Sequence, residues 1–345
     1  MNNRIHRLNW ILAALSLGMC FAEESAPQRF ELTKRASEVD PRAREHPEIQ
    51  FRFTDDKGKP QDLQHAVVDT RVSSKGKLVI WLMAHNQGLF ERVAEYGLHG
   101  IQVHYANQWL SALTKEQLND GESLGKVRLE AATGEDHSPL VNIPKPDGIR
   151  ERSIQFVLWL AKENPHGKWE QFLTADKTDL QWEKVILSGI SHGSTTAARF
   201  ALHQRVGRVV MFSGPRDNTE KWQGLPSATP VNRFFGFTHV LDGGWTASHY
   251  CRSWQLLRMH TLGPVTDVDQ TPFPFGNTRR LITRSDVKND PKRAHTTVVP
   301  GGTAVKDSEG RYIHENVWKY LFLHPVEETG KAVEMDADCV MEPKK

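Results

Sequence analysis

The stretch Val185-Ile-Leu-Ser-Gly-Ile-Ser-His-Gly-Ser-Thr-Thr-Ala-Ala-Arg-Phe200 decides how this chain is read. Within it, Gly189-Ile190-Ser191-His192-Gly193 has the form G-x-S-x-G. The apolar run Val185-Ile186-Leu187 before it reads as a buried strand, and the small and apolar residues from Thr195 to Leu202 read as a helix. A serine on such a strand-to-helix turn projects its hydroxyl above the sheet, and the flanking glycines leave room for the neighbouring strand and helix. The helix beginning at His192 offers unpaired N–H groups and the positive end of its dipole to a developing oxyanion. A glycine-rich turn closing an ordinary strand–helix unit is the plain alternative.

Outward from this turn, strands and helices alternate. Strands are expected near Ile49–Phe53, Ala66–Thr70, Lys77–Met83, Gly100–Tyr105, Gly207–Ser213, Arg233–Leu241 and Arg279–Ser285, after a polar lead-in from Glu23. Helices are expected over Leu89–Tyr96, Ile149–Glu163 and Tyr312–Leu323. The continuous apolar runs indicate a mostly parallel sheet with helices on both faces, an α/β class. The segment 119–147 is rich in Gly, Asp, Ser and Pro and reads as an inserted loop, and 325–345 as a polar tail. One catalytic domain over 23–324 accounts for the rest.

The N-terminus has its own composition. Arg4 and Arg7 precede the mostly apolar Leu8–Met19, and Cys20-Phe21-Ala22 ends in a small residue. This is the pattern of a signal peptide over residues 1–22, cut after Ala22, and the apolar run is too short to span a bilayer. The expectation is a secreted or periplasmic protein with no stable membrane insertion after cleavage. Removal takes away two arginines, leaving 42 basic against 42 acidic residues in a chain whose totals are 44 and 42. With no basic stripe, nucleic acid is not an expected partner. Cys251 and Cys339 remain; they either pair or stay as thiols. No metal-ligand spacing is present, and neither a metal nor another cofactor is expected.

A serine needs a histidine to take its proton and an acid to orient that histidine. In chain order Ser–acid–His, each on a loop after a successive strand, Asp242 follows the 233–241 run and His295 follows the last strand. Asp217, after the preceding strand, is the alternative acid. The oxyanion donors are expected to be the backbone N–H of His192 and one from Ala84 or His85. Of ten tryptophans, Trp109 and Trp245 are the candidates to face substrate; core filling is the ordinary role of the others.

The pattern resembles the α/β-hydrolase superfamily, and within it a group of secreted bacterial α/β-hydrolase-like proteins. The matching pieces are Glu95–Asn107, Val127–Glu130, Trp182 through Ser194, Phe235–Asp242 and Ala294–Val298. Ile190 and Ser194 depart from the residues often found there. The resemblance implies an α/β-hydrolase fold and carries triad roles onto Ser191, Asp242 and His295. The expected activity is hydrolysis of a carboxylic ester, in a small molecule or a polymer, through an acyl-enzyme. A peptidase or amidase with the same triad, and a non-catalytic binding protein of the same fold, are the alternatives.

Overall fold

The protein is described from a computed structural model over residues 26–334; the signal-peptide segment, Cys20 and Cys339 lie outside these residues. Nine strands form one sheet: β1 Arg29–Arg35, β2 Leu63–Asp69, β3 Leu78–Trp81, β4 His99–Gln102, β5 Val185–Ile190, β6 Arg208–Phe212, β7 Phe234–His239, β8 Val265–Asp267 and β9 Arg280–Thr283. Their order is β1-β2-β4-β3-β5-β6-β7-β9-β8. Only β2 runs against its neighbours, pairing antiparallel with both β1 and β4.

Period-two alternation divides the core into two layers. Leu78, Ile80 and Leu82 enter one layer while Val79 and Trp81 enter the other. Val185 and Leu187 oppose Ile186, and Val209 and Met211 oppose Val210 and Phe212, in the same way. The first layer packs against helices Ile149–Glu163 and His192–His203, and the second against Gln87–Glu95 and Glu315–Leu323. Both faces are therefore covered, as the continuous apolar runs require.

Several expectations are corrected. Ile49–Phe53 is not a strand: Pro47–Ile49 is a single 3-10 turn, and only isolated bridges join this segment, at His46–Phe51 and Thr54–Pro60. The first strand is instead the charged run Arg29-Phe-Glu-Leu-Thr-Lys-Arg35. As an edge strand it has one neighbour, and its Phe30 and Leu32 pack on the core while the intervening residues can be charged. Strand β8, a short outer edge, was also not expected.

The segment 119–147 is not simply a loop. Gly121–Thr133 is a helix, capped by the Asp120 carboxylate at its start and by left-handed Gly134 at its end. Gly125, which argued for a loop, is there for contact: a Cβ on it would lie 2.7 Å from the Trp222 side chain. Beyond this helix the Glu130 carboxylate accepts the backbone N–H groups of His137, Ser138 and Ile143, so the following loop is pinned down. This region builds a satellite core in which Ile49, Phe51, Trp109, Leu124 and Val127 meet.

The tail is also tied to the body in its described part. Arg279 donates to the carbonyls of Val326 and Glu328, and the Val333 N–H to that of His260. Cys251 is buried in the core and disulfide-bonded.

Candidate active site

Strands β3, β5, β6, β7 and β9 are parallel, so the segments after them gather at one edge of the sheet. There lie Ala84, Ser191, Asp217, Asp242 and His295, all singled out from sequence. Ligands of open α/β sheets bind at this edge.

Ser191 sits between β5 and the helix His192–His203 with φ 57° and ψ −118°. A side-chain-bearing residue held in this region costs about 1–3 kcal/mol, which the surroundings must impose. They do. The Ser191 N–H donates to the Phe212 carbonyl on β6, and its own carbonyl accepts the hydroxyls of Ser194 and Thr195. A Cβ on Gly193 would lie 1.7 Å from the Leu82 carbonyl oxygen, and one on Gly189 2.5 Å from the Gly193 carbonyl carbon. Both glycines are required by close approach of backbone to backbone.

Asp242 and His295 are brought together. The His295 ring, on the short helix Pro291–Thr296 rather than in an open loop, bonds through Nδ1 to Asp242 Oδ2 at 2.7 Å. Asp242 Oδ1 accepts the Gly244 N–H and the Tyr250 hydroxyl, each at 2.9 Å. Burial opposes ionisation of Asp242, but the bond and charge of His295, then Gly244 and Tyr250, outweigh it and hold its carboxyl below the ordinary value. The Ser213 hydroxyl donates to the His295 carbonyl and fixes that segment to the end of β6.

Asp217 is committed elsewhere. It accepts Nε and Nη2 of Arg128, both at 2.7 Å, and the indole N–H of Trp222. Arg128 also donates through Nη1 to His192 Nδ1 and to the Thr196 hydroxyl, each at 3.1 Å. Burial and the Arg128 charge hold the His192 pKa well below its usual value. The neutral ring accepts at Nδ1 and so carries its proton on Nε2. Arg128 and Asp217 are 3% and 5% exposed. Arg128→Ala would leave a buried carboxylate unpaired, and the expected cost is about 3–5 kcal/mol, lowering Tm by about 10 °C. Thermal unfolding checks this, and Arg128→Met combined with Asp217→Leu should recover most of the loss.

The two oxyanion candidates after β3 separate. Ala84 lines, with Met83 and His192, an open cavity of about 740 Å³. His85 stacks on His65 at 4.1 Å and borders a different pocket. The first N–H groups of the helix, His192 among them, precede its first intrahelical bond, from Thr195 N–H to the Ser191 carbonyl.

Both tryptophan expectations are corrected. Trp109 is fully buried, its ring 5.0 Å from that of His192 and beneath the Arg128 guanidinium. Trp245 is 5% exposed and packs on Trp254. Their large apolar surfaces are used under the site, not toward a ligand. Sequence reasoning gave no role to Arg128, Tyr250 or Arg216, whose Nη1 stands 3.5 Å from Ser191 Oγ. Arg128 carried a signal in the matching piece Val127–Glu130, and Arg216 in its place just beyond the end of β6. Among the described residues no cluster of His, Cys, Asp and Glu could hold a metal, and no helix is long and apolar enough to cross a membrane.

A mostly parallel sheet flanked by helices, one reversed strand at β2 and a strained serine between a central strand and its helix make this an α/β-hydrolase fold. Solved structures to which the chain is similar include esterase B from Lactobacillus rhamnosis, at 12% identity over 86% of each chain with a TM-score of 0.39. A sugar hydrolase from Lactococcus lactis matches at 12% identity over 74% of this chain and 90% of its own, with a TM-score of 0.35. An α/β serine hydrolase without a lid from Xanthomonas campestris matches at 10% identity over 64% and 78%, with a TM-score of 0.32. No protein-family profile matches the chain, and no curated protein does.

Proposed function

We propose that this protein is an exported serine hydrolase acting on a carboxylic ester, with Ser191 as nucleophile, His295 as base and Asp242 as the acid that orients it. The observation that carries the reading is Ser191 at φ 57° on its strand–helix turn, at the same sheet edge as the 2.7 Å His295–Asp242 pair. With Asp242 ionised, His295 keeps its proton on Nδ1 and presents Nε2 as a base. Nε2 takes the Ser191 proton as Oγ attacks the carbonyl carbon. The backbone N–H groups of His192 and Ala84 receive the oxyanion. His295 returns the proton to the leaving alcohol, and water attacks the acyl-enzyme by the same route. Asp217 is the weaker acid candidate because Arg128 and Trp222 occupy its carboxylate.

Export is part of the proposal. It rests on Met1–Ala22 as a signal peptide and accords with a disulfide at Cys251, since such bonds persist in oxidising compartments. A fluorophosphonate probe tests the chemistry: intact-mass analysis of the folded protein should show one added phosphonyl group. Absence of labelling would remove the hydrolase reading and favour a binding protein of the same fold.

A further inference from the structure

Arg216 is placed over the candidate nucleophile by anchors on both sides of it. Its own N–H donates to the Thr195 hydroxyl at 3.1 Å, fixing it against the helix that follows Ser191. The Gly214 carbonyl two residues earlier accepts the Trp254 indole N–H, and Asp217 on the other side is clamped by Arg128. From this fixed backbone an exposed guanidinium reaches Ser191 Oγ at 3.5 Å.

The surrounding acids are already engaged. Asp217 is paired with Arg128, Asp242 with His295, and Glu220 with Arg252 at 2.8 Å. Arg216 makes no ion pair among the described residues. His249, which feels the Arg216 charge, is held below its usual pKa by burial and by that charge, so it adds no second cation near neutral pH. The charge standing against the reacting hydroxyl is therefore the Arg216 guanidinium, which no acid among the described residues pairs with, while the Asp242 carboxylate is held on the far side of the His295 ring. A neutral ester can take a hydrogen bond from the guanidinium at a carbonyl oxygen but leaves its charge unpaired. A carboxylate would complete it, since the planar fork of arginine matches carboxylate geometry.

We infer that the substrate is an ester carrying a carboxylate within a few bonds of the scissile carbonyl, and that Arg216 is the residue selecting it. This rests on Ser191 being the nucleophile. The test compares kcat/KM for two matched pairs, with the charge on the acyl side (4-nitrophenyl hydrogen succinate against 4-nitrophenyl butyrate) or on the alcohol side (2-acetoxybenzoate against phenyl acetate). Dividing wild-type by variant values cancels the intrinsic reactivity of each ester. In at least one pair, Arg216→Gln should lower the anionic member about 10- to 100-fold more than the neutral one, the range of a charge-assisted hydrogen bond. Arg216→Lys, which keeps the charge without the fork, should fall between. The exposed side chain leaves Tm within about 2 °C, so a folding loss is separately visible. Equal losses within both pairs would overturn the inference, as would fluorophosphonate labelling without turnover of either anionic ester. Failure of labelling itself would instead overturn the hydrolase reading on which it stands.

Discussion

Ser191→Ala is expected to lower kcat on a carboxylic ester by about 10⁶-fold, because the nucleophile, its proton and the acyl-enzyme vanish together. What remains is the contribution of oxyanion donors and binding. Ser191→Gly should lose as much activity and yet gain stability. At φ 57° and ψ −118° the serine is strained, whereas glycine adopts positive φ freely. Relief of about 1–3 kcal/mol outweighs the extra freedom glycine gives the unfolded chain, about 0.5–1 kcal/mol. A net rise of about 1 kcal/mol corresponds to a Tm about 2–4 °C higher. Steady-state kinetics and thermal unfolding of the two variants check both halves. A Tm below wild type for Ser191→Gly would show that the turn is not strained; activity surviving in Ser191→Ala would place the nucleophile elsewhere.

Asp242→Asn should cost about 10⁴-fold in kcat with the fold retained. The structure supplies the reason through the far side of the carboxylate. Oδ1 accepts two donors, the Gly244 N–H and the Tyr250 hydroxyl. In the variant those donors require the amide oxygen at that position, which turns the NH₂ toward His295 Nδ1. His295 must then accept at Nδ1 and carry its proton on Nε2, the atom that has to receive the serine proton. The base is lost by tautomer while its position stays the same. Near-wild-type kcat in Asp242→Asn would remove Asp242 from the proton path. Asp217→Asn is the informative companion, because its expected effect falls on Tm, through the Arg128 pair, more than on the proton path.

Much of this organisation was legible because it depends on local periodicity. β3, β5, β6 and β7 are short apolar runs bounded by turn residues, and helix Ile149–Glu163 was read with the bounds it has. The segments misread were those whose residues answer to distant partners. Arg29–Arg35 looks like a polar lead-in until β2 lies beside it. Gly125 looks like a loop residue until the Trp222 ring is seen against it. Trp109 looks like a ligand-facing aromatic until it is found beneath Arg128 and beside His192.

By itself, the sequence determined the alternation of strands and helices, the strand–serine–helix turn, and the chain order in which an acid and a histidine follow it. These are properties of near neighbours, set by side-chain periodicity and by the backbone freedom of glycine. What distinguishes the two candidate acids is tertiary. Asp217 and Asp242 both follow strands, but only folding brought Arg128 to one and His295 to the other, across 89 and 53 residues of chain. The cation over Ser191 was settled in the same way, because which charges remain unpaired depends on where every other charge has found its partner.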